Sequence, residues 1–286
     1  MKIWRDISSI WWEGRNDQTF SFFSVPRSEK QDFFACLIVN AAVALIGCLY
    51  QAYSLRPSGY EVSALGIFYS GFGGGMSLIG ILSALTVSIF VGTKFTSGAM
   101  RNKVIVGSGR AKLYWCNLVT ACALCVLIYA GYHLVNFTLG TAILGWGGAS
   151  AATVAGDFFA GVLMTCAYAS IFTAVVMISR SSMTGIIVGI VGTLVVLFMV
   201  QMILGGLAGH YVHDPNDPDG AIFVPCQWPA FLQYAAKFAV RLFPSGQAVL
   251  LQSGEAVLWQ LMPLSALWIV LSASLGAWTF GKMDLK

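Results

Sequence analysis

The sequence predicts an all-α integral membrane protein with six transmembrane helices, and three observations support this fold class. First, 57% of the 286 residues are hydrophobic and only 10% are charged, whereas soluble domains carry about 25% charged residues. Second, six segments lack Asp, Glu, Lys and Arg, and each can hold the roughly 20 apolar residues that cross a bilayer core. Third, the basic residues cluster on one side of these segments. A single transmembrane domain over 1–286 is the simplest organisation.

The uncharged segments define the predicted spans. We expect the six helices near residues 33–53, 73–93, 113–136, 157–178, 184–206 and 257–279. The third uncharged run, 113–156, is long enough for two short helices. The glycine-rich stretch GWGGAS at 145–150 interrupts its end, which favours one span followed by an external loop.

The basic residues predict that both termini lie in the cytoplasm. In that orientation 13 of the 16 lysines and arginines are cytoplasmic, in segments 1–32 and 94–112, at Arg180, and in the tail 280–286. The external side keeps the other three, Arg56, Lys237 and Arg241. Cytoplasmic loops of membrane proteins carry this excess of positive charge. The predicted location is the cytoplasmic membrane, as a multi-pass protein.

The first cytoplasmic segment, 1–32, has an amphipathic pattern at its start. Apolar side chains recur at helical spacing between Ile3 and Trp11, while Lys2, Arg5 and Glu13 occupy other positions of the helical wheel. This pattern predicts an interfacial helix lying flat on the inner membrane face. An ordinary surface helix packed on its own domain remains the alternative.

The connection between spans five and six, residues 207–256, is predicted to be external. It contains two apolar stretches, Ala221–Ala236 and 242–251, which a soluble loop would not have. We expect short helices that dip into the outer leaflet or cover it.

Part of that connection, HYVHDPNDPDG at 210–220, concentrates potential metal ligands. It departs from the EF-hand template, because Pro218 occupies a ligand position and no Glu closes the loop. Pro, Asn, Asp and Gly at this density are typical of turns. We therefore predict a turn here and no metal site.

The sequence lacks the motifs of several enzyme classes. It has no GxxxxGK[ST], HExxH or GxSxG, so no catalytic residue and no cofactor site is predicted. His133 and Asp157 lie near the outer ends of spans three and four, and we interpret them as interfacial or hydrogen-bonded residues rather than a proton relay. Gly185 and Gly189 form a GxxxG in span five, interpreted as packing within the chain.

The loop between spans two and three contains the stretch KFTSGAMRNKVIVGSGRAKLY at 94–114, which resembles the corresponding loop in permease subunits of type-2 ABC exporters. In that family it reads approximately E-F-x-x-G-T-[IL]-R-N-K-[LI]-x-x-G-x-[ST]-R-x-x-[IL]-Y. This chain matches at Phe95, Gly98, Arg101, Asn102, Lys103, Gly107, Arg110 and Tyr114. FPSGQ at 243–247 and the ending FGKMDLK are also similar to the family.

The resemblance implies that residues 92–112 form a coupling loop that docks in a cleft of a cytoplasmic ATPase. The residues implied in this contact are Phe95, Gly98, Met100, Arg101, Asn102, Lys103, Val104, Gly107 and Arg110. Ser97 can cap a helix here, and Met100, Val104 and Gly107 would share one face of it. From charge alone, a loop that attracts anionic lipid is the alternative.

Three positions depart from the family pattern. Lys94 replaces its acidic residue, Ala99 its threonine, and Gly109 its small hydroxyl residue. A salt bridge made by the family's acid is therefore not carried over. A more acidic partner surface and pairing with a non-identical permease are both open explanations.

The resemblance implies the membrane-spanning subunit of an ATP-driven exporter, which is not an enzyme by itself. Its expected partners are two cytoplasmic ABC ATPase chains, a second permease (a copy or a paralogue) and membrane lipid, with no nucleic acid. ATP and Mg²⁺ are expected on the ATPases. The expected substrate is amphipathic or hydrophobic, such as a drug, a peptide antibiotic or a lipid. A non-transporting scaffold or sensor is the alternative, and an ion-coupled secondary transporter a further one.

Overall fold

The chain forms a bundle of long helices with one short β-hairpin. The computed structural model describes residues 27–50, 53, 63–70, 72, 76–148, 150–213, 221–254 and 258–283. The elements in chain order are α1 (Arg27–Tyr50), α2 (Ala64–Ser70), α3 (Met76–Thr96), α4 (Ala99–Ile105), α5 (Arg110–Leu144), α6 (Ala151–Ser179), α7 (Ser182–Ala208), β1 (His210–His213), β2 (Ala221–Val224), α8 (Ala230–Leu242), α9 (Pro244–Gln252) and α10 (Leu258–Lys282). The predicted interfacial helix at residues 1–15 lies outside the described residues.

Five of the described helices, α3, α5, α6, α7 and α10, are long and apolar enough to cross a membrane. The chain is therefore a multi-pass helical membrane protein, as the sequence predicts. The first predicted span is also a helix, α1, but its apolar part is only Leu37–Tyr50 among the described residues. Polar residues fill its first turns, so the count of six spans stays a prediction.

Helix α6 lies at the centre of the bundle and packs against α3, α5, α7 and α10. Small side chains let its neighbours approach closely. A Cβ added at Gly161 would clash with the Tyr129 hydroxyl of α5. On the neighbouring α7, a Cβ at Gly189 would meet Ala84 of α3. The GxxxG of α7 thus packs within the chain, which confirms the interpretation from sequence.

The opposite face of α7 is covered by nothing in the described chain. Large apolar side chains there, such as Ile187, Phe198 and Met202, are more than half exposed. In water such a surface would be unfavourable, whereas hydrocarbon solvates it. This face is consistent with a helix at the lipid-exposed side of a membrane bundle.

The third predicted span was expected to end near residue 136, and this boundary was wrong. Helix α5 runs without interruption for 35 residues to Leu144, which is about 52 Å of helix. It therefore extends well beyond a hydrocarbon core of about 30 Å. The helix ends at Gly145, which has a φ of 79° that favours glycine.

The connection after α7 is partly β, which corrects the prediction of a helix from Ala221 onward and adds a strand before the predicted turn. Strands β1 and β2 pair antiparallel, with His210 opposite Val224 and His213 opposite Ala221. Aromatic and β-branched residues favour strands, and the intervening Pro, Asn, Asp and Gly residues favour a turn. The predicted short helices are present after the hairpin, as α8 and α9.

The bundle has two distinct ends. We call one the loop end: it contains α4, the start of α5, the end of α10 and the turn between α6 and α7. Arg110 contacts Met283 there, and Gly92 lies against Ser182. We call the other the hairpin end: it contains α2, the end of α5, the β-hairpin, α8 and α9.

Candidate functional site

The candidate coupling element at the loop end is the seven-residue helix α4, set between two long helices. Gly98 precedes it with φ 71°, and Gly107 follows it with φ 96°. Both values lie in the left-handed region, where glycine is favoured. Gly98 is the N-cap and no side chain caps the helix, so the expected capping by Ser97 was wrong. The two glycines thus allow the chain to turn at both ends of α4.

One side of α4 faces the interior of the protein. Met100 is 2% exposed and belongs to the main hydrophobic core, and Val104 packs against the same core. Nearby, Phe95 packs edge to face on Phe280 of α10, with 6.3 Å between ring centroids. The chain's own core therefore covers Met100, whereas Val104 is half-buried against it. Their expected contact with a partner stays a prediction.

The outward side of α4 combines polar and apolar groups. Arg101 and Asn102 are exposed, as expected for contacts with an acidic surface. Ile105 is 74% exposed and Val106 is 64% exposed, and the sequence analysis missed both. The exposed set is therefore Arg101, Asn102, Ile105 and Val106. The periodicity of apolar residues could not have identified this exposed set, because apolar residues occur on both sides of this short helix.

Lys94, which replaces the family's acidic residue, points into the protein. Its Nζ donates to Asn117 Oδ1 at 2.8 Å and lies 3.4 Å from the centroid of the Phe90 ring. Asn117 Nδ2 in turn donates to the carbonyl of Leu113 at 2.7 Å. The half-buried lysine thus joins the end of α3 to the first turns of α5.

Arg110, which is expected in the ATPase contact, joins two helices of the chain. It begins α5, and its Nη1 donates to the carbonyls of Met283 at 2.6 Å and Gly281 at 3.3 Å. These carbonyls lie at the C-terminal end of α10, where a cation is favoured. Arg110 therefore ties the base of the loop to the last helix.

The FPSGQ motif, residues 243–247, connects several helices at the hairpin end. Ser245 shares a 2.6 Å hydrogen bond with Tyr168 of α6. Gln247 donates to the carbonyl of Arg241 at 2.9 Å and accepts from Ser265 of α10 at 2.5 Å. Gly246 lies so close to the carbonyl of Val240 that no Cβ fits. The motif therefore binds α8 and α9 to the two helices α6 and α10.

A buried polar group lies near the hairpin end, between α2, α5 and α6. The Tyr69 hydroxyl donates to Asp157 Oδ2 at 2.6 Å, so Asp157 is hydrogen-bonded as expected. His133 was expected to be interfacial or hydrogen-bonded. It is 2% exposed, and among the described residues neither ring nitrogen has a hydrogen-bond partner. Five aromatic rings surround it, at centroid distances from 4.4 Å (Tyr129) to 6.1 Å (Phe158).

The described residues contain no group of three or more potential metal ligands. Most of the 210–220 segment, where such ligands are concentrated in the sequence, lies outside the described part. No protein-family model matches this chain, and no curated protein is significantly similar to it.

Proposed function

We propose that this chain is the membrane-spanning subunit of an ATP-driven exporter, similar to the permeases of type-2 ABC exporters. It would act with two separate ATPase chains and a second permease, either a copy or a paralogue. The substrate class follows from the resemblance and from the scarcity of charge in the bundle: an amphipathic or hydrophobic molecule such as a drug, a peptide antibiotic or a lipid.

The observation that carries this proposal is the two-sided character of α4. Its inner side is anchored in the core through Met100, and its outer side presents Arg101 and Asn102 beside the apolar Ile105 and Val106. A cation and an amide flanked by exposed apolar side chains suit a cleft of a partner protein better than a lipid surface. Charge would steer the encounter, and the apolar pair would supply buried area.

The contacts around α4 suit it to transmit force. Lys94 links α3 to α5, Arg110 links α5 to α10, and Phe95 links α3 to α10. A push on α4 by a closing ATPase dimer would therefore move three long helices together. Because packed cores are bistable rather than continuously deformable, such a push is expected to switch the bundle between discrete arrangements.

The proposal includes six spans with both termini in the cytoplasm. Helix α1 would be the first span, and the loop end would face the cytoplasm. This orientation puts 13 of the 16 basic residues inside. Helices α8 and α9 would then lie at the outer leaflet.

Charge reversal on α4 tests the docking. The tagged chain is purified in mild detergent from cells expressing its native operon, as wild type and as Arg101→Glu with Lys103→Glu. We expect a soluble ATPase to co-purify with the wild type. The amount that co-purifies with the double variant should be at least tenfold lower, because like charges at an interface repel. ATP hydrolysis by each preparation gives a second readout.

The matched control is Lys112→Glu with Lys282→Glu, which makes the same change in net charge at the same end of the bundle but outside α4. It should retain the ATPase. Failure of the wild type to bind any ATPase would overturn the exporter proposal. Binding of an ATPase without ATP-dependent transport in proteoliposomes would instead indicate the scaffold or sensor alternative.

One observation favours a second candidate, an ion-coupled transporter. His133 and Asp157 are ionisable groups buried in helices that can span a membrane, and such groups often mark proton pathways. Under this candidate, proteoliposomes holding the chain alone would couple a pH gradient to uptake of an amphipathic dye, and Asp157→Asn would abolish it. Under the exporter proposal, the chain alone shows no gradient-driven uptake. Asp157→Asn should then fold normally, because an amide oxygen still accepts from Tyr69.

A further inference from the structure

We infer that a cleft at the hairpin end binds the phosphate head of an anionic phospholipid. The cleft has a volume of about 530 Å³ and lies between the end of α7 and helices α8 and α9. Its walls include Leu204, Leu207, Ala208 and Val249, with Lys237 and Arg241 at its polar side. An apolar wall beside a pair of cations matches a ligand with an acyl chain and an anionic head.

The two cations are arranged for a single anion. Lys237 and Arg241 are four residues apart on α8, which puts them on the same helix face, and both line the cleft. Among the described residues that line the cleft there is no carboxylate. Arginine offers a planar fork of donors and lysine a mobile ammonium group, and together they suit the oxygens of a phosphate.

The position of the cleft favours a lipid over a soluble anion. Leu204, Leu207 and Ala208 form the last turns of α7, a 27-residue apolar helix about 40 Å long. The end of such a helix reaches the head-group level of a bilayer with a core of about 30 Å. Helix α8 also exposes Phe231, Tyr234 and Phe238, and aromatic rings favour this interface.

Simple snorkelling of the two cations would be the weaker explanation. Snorkelling extends a long side chain from an apolar surface to water and requires no cavity. Here the charges border a defined cleft whose opposite wall, Leu204 and Val249, comes from other helices. In the proposed topology, moreover, these are two of the three basic residues on the outer side, the side on which basic residues are scarce.

The test measures lipid binding by the full chain in detergent with native mass spectrometry. Phosphatidylglycerol and phosphatidylcholine with identical acyl chains are titrated into the wild type. We expect phosphatidylglycerol to bind at least about tenfold more tightly, and Lys237→Gln with Arg241→Gln to remove this preference, because charge-assisted hydrogen bonds to phosphate are lost. Lys112→Gln with Lys282→Gln removes the same net charge at the other end and should keep the preference.

Two further arms separate the possible sources of binding. Ala208→Trp fills the apolar part of the cleft without changing its charge, and it should weaken both lipids. Inorganic phosphate at millimolar concentration should not displace the bound lipid. Displacement by phosphate would reassign the cleft to a soluble anion. A wild type without lipid preference, or an equal loss in the control variant, would overturn the inference. Thermal unfolding of each variant excludes misfolding as the cause.

Discussion

Gly246→Ala is expected to lower the free energy of unfolding by about 3 kcal/mol or more, since overpacking of a well-packed site costs about 1–3 kcal/mol and backbone obstacles increase this. The added Cβ would fall on the carbonyl oxygen of Val240, with the carbonyl carbon 2.8 Å away. A flexible side chain could move aside, but this obstacle is backbone. Helices α8 and α9 must therefore separate.

Separation of these helices would also break contacts of the FPSGQ motif. The hydrogen bond from Gln247 to the Arg241 carbonyl crosses this junction at 2.9 Å. Beside it, Trp268 of α10 donates to the Leu242 carbonyl at the end of α8, at 2.7 Å. Loss of the first would leave a buried amide with fewer partners, which adds to the cost. The effect is thus larger than expected for one methyl group on a surface helix.

Thermal unfolding in mild detergent measures this prediction, with a thiol-reactive dye that reports exposure of the buried Cys48 and Cys125. The expected decrease in Tm is about 6 °C or more, from about 2–4 °C per kcal/mol for chains above 150 residues. Gly192→Ala is the matched control, because its Cβ meets nothing within 4 Å. It should be neutral or stabilising by up to about 1 kcal/mol, since alanine favours helix. Equal Tm values for the two variants would contradict the proposed close approach.

Met100→Ala is expected to destabilise the protein by about 2–5 kcal/mol, the range for truncation of a buried large side chain. Met100 is almost fully buried and is the inner anchor of α4. Its sulfur also lies 4.0 Å from Asn117 Nδ2, within the polar contacts that hold Lys94. Truncation should therefore loosen α4 before it unfolds the bundle.

Limited trypsin digestion separates the local effect from the global one. Cleavage after Arg101 or Lys103 should be faster in Met100→Ala at temperatures where the buried thiols are still protected, because a protease needs the helix locally open. The matched control is Met183→Ala, the same truncation at a side chain that is 69% exposed near the same end of the bundle. It should change stability by less than about 0.5 kcal/mol. Identical digestion of both variants would show that Met100 does not anchor α4.

The long helices were predictable because hydrophobicity over 20 residues is a local property of the chain. The spans expected near 73–93, 157–178 and 184–206 correspond to α3, α6 and α7. The end of α5 was misplaced because apolar composition does not reveal how far a helix continues beyond a bilayer. The β-hairpin was missed because its strands are only four residues each. The first lies in a segment predicted to be a turn and the second in one predicted to be helical.

The sequence predicted where in the chain the candidate site lies, but not which of its side chains face outward. The loop's position, its short helix and its exposed Arg101 follow from residues that are near one another in the chain. The burial of Met100, the inward direction of Lys94 and the binding of Arg110 to α10 depend on partners elsewhere, the last of them more than 170 positions away. In a seven-residue helix with apolar residues on both sides, the spacing of the apolar residues does not identify the buried face.

By itself, then, the sequence determined that this chain is a multi-pass helical membrane protein and that a basic loop joins two of its long helices. Composition and charge suffice for that, because a bilayer requires helices with about 20 apolar residues and because basic residues are concentrated in the loops on one side of the membrane. Only the tertiary structure decided which side of α4 is free, what FPSGQ holds together, and that Lys237 and Arg241 border one cleft. Each of these depends on the close approach of helices that the chain order keeps apart, where shape, rather than hydrophobicity, selects the contact.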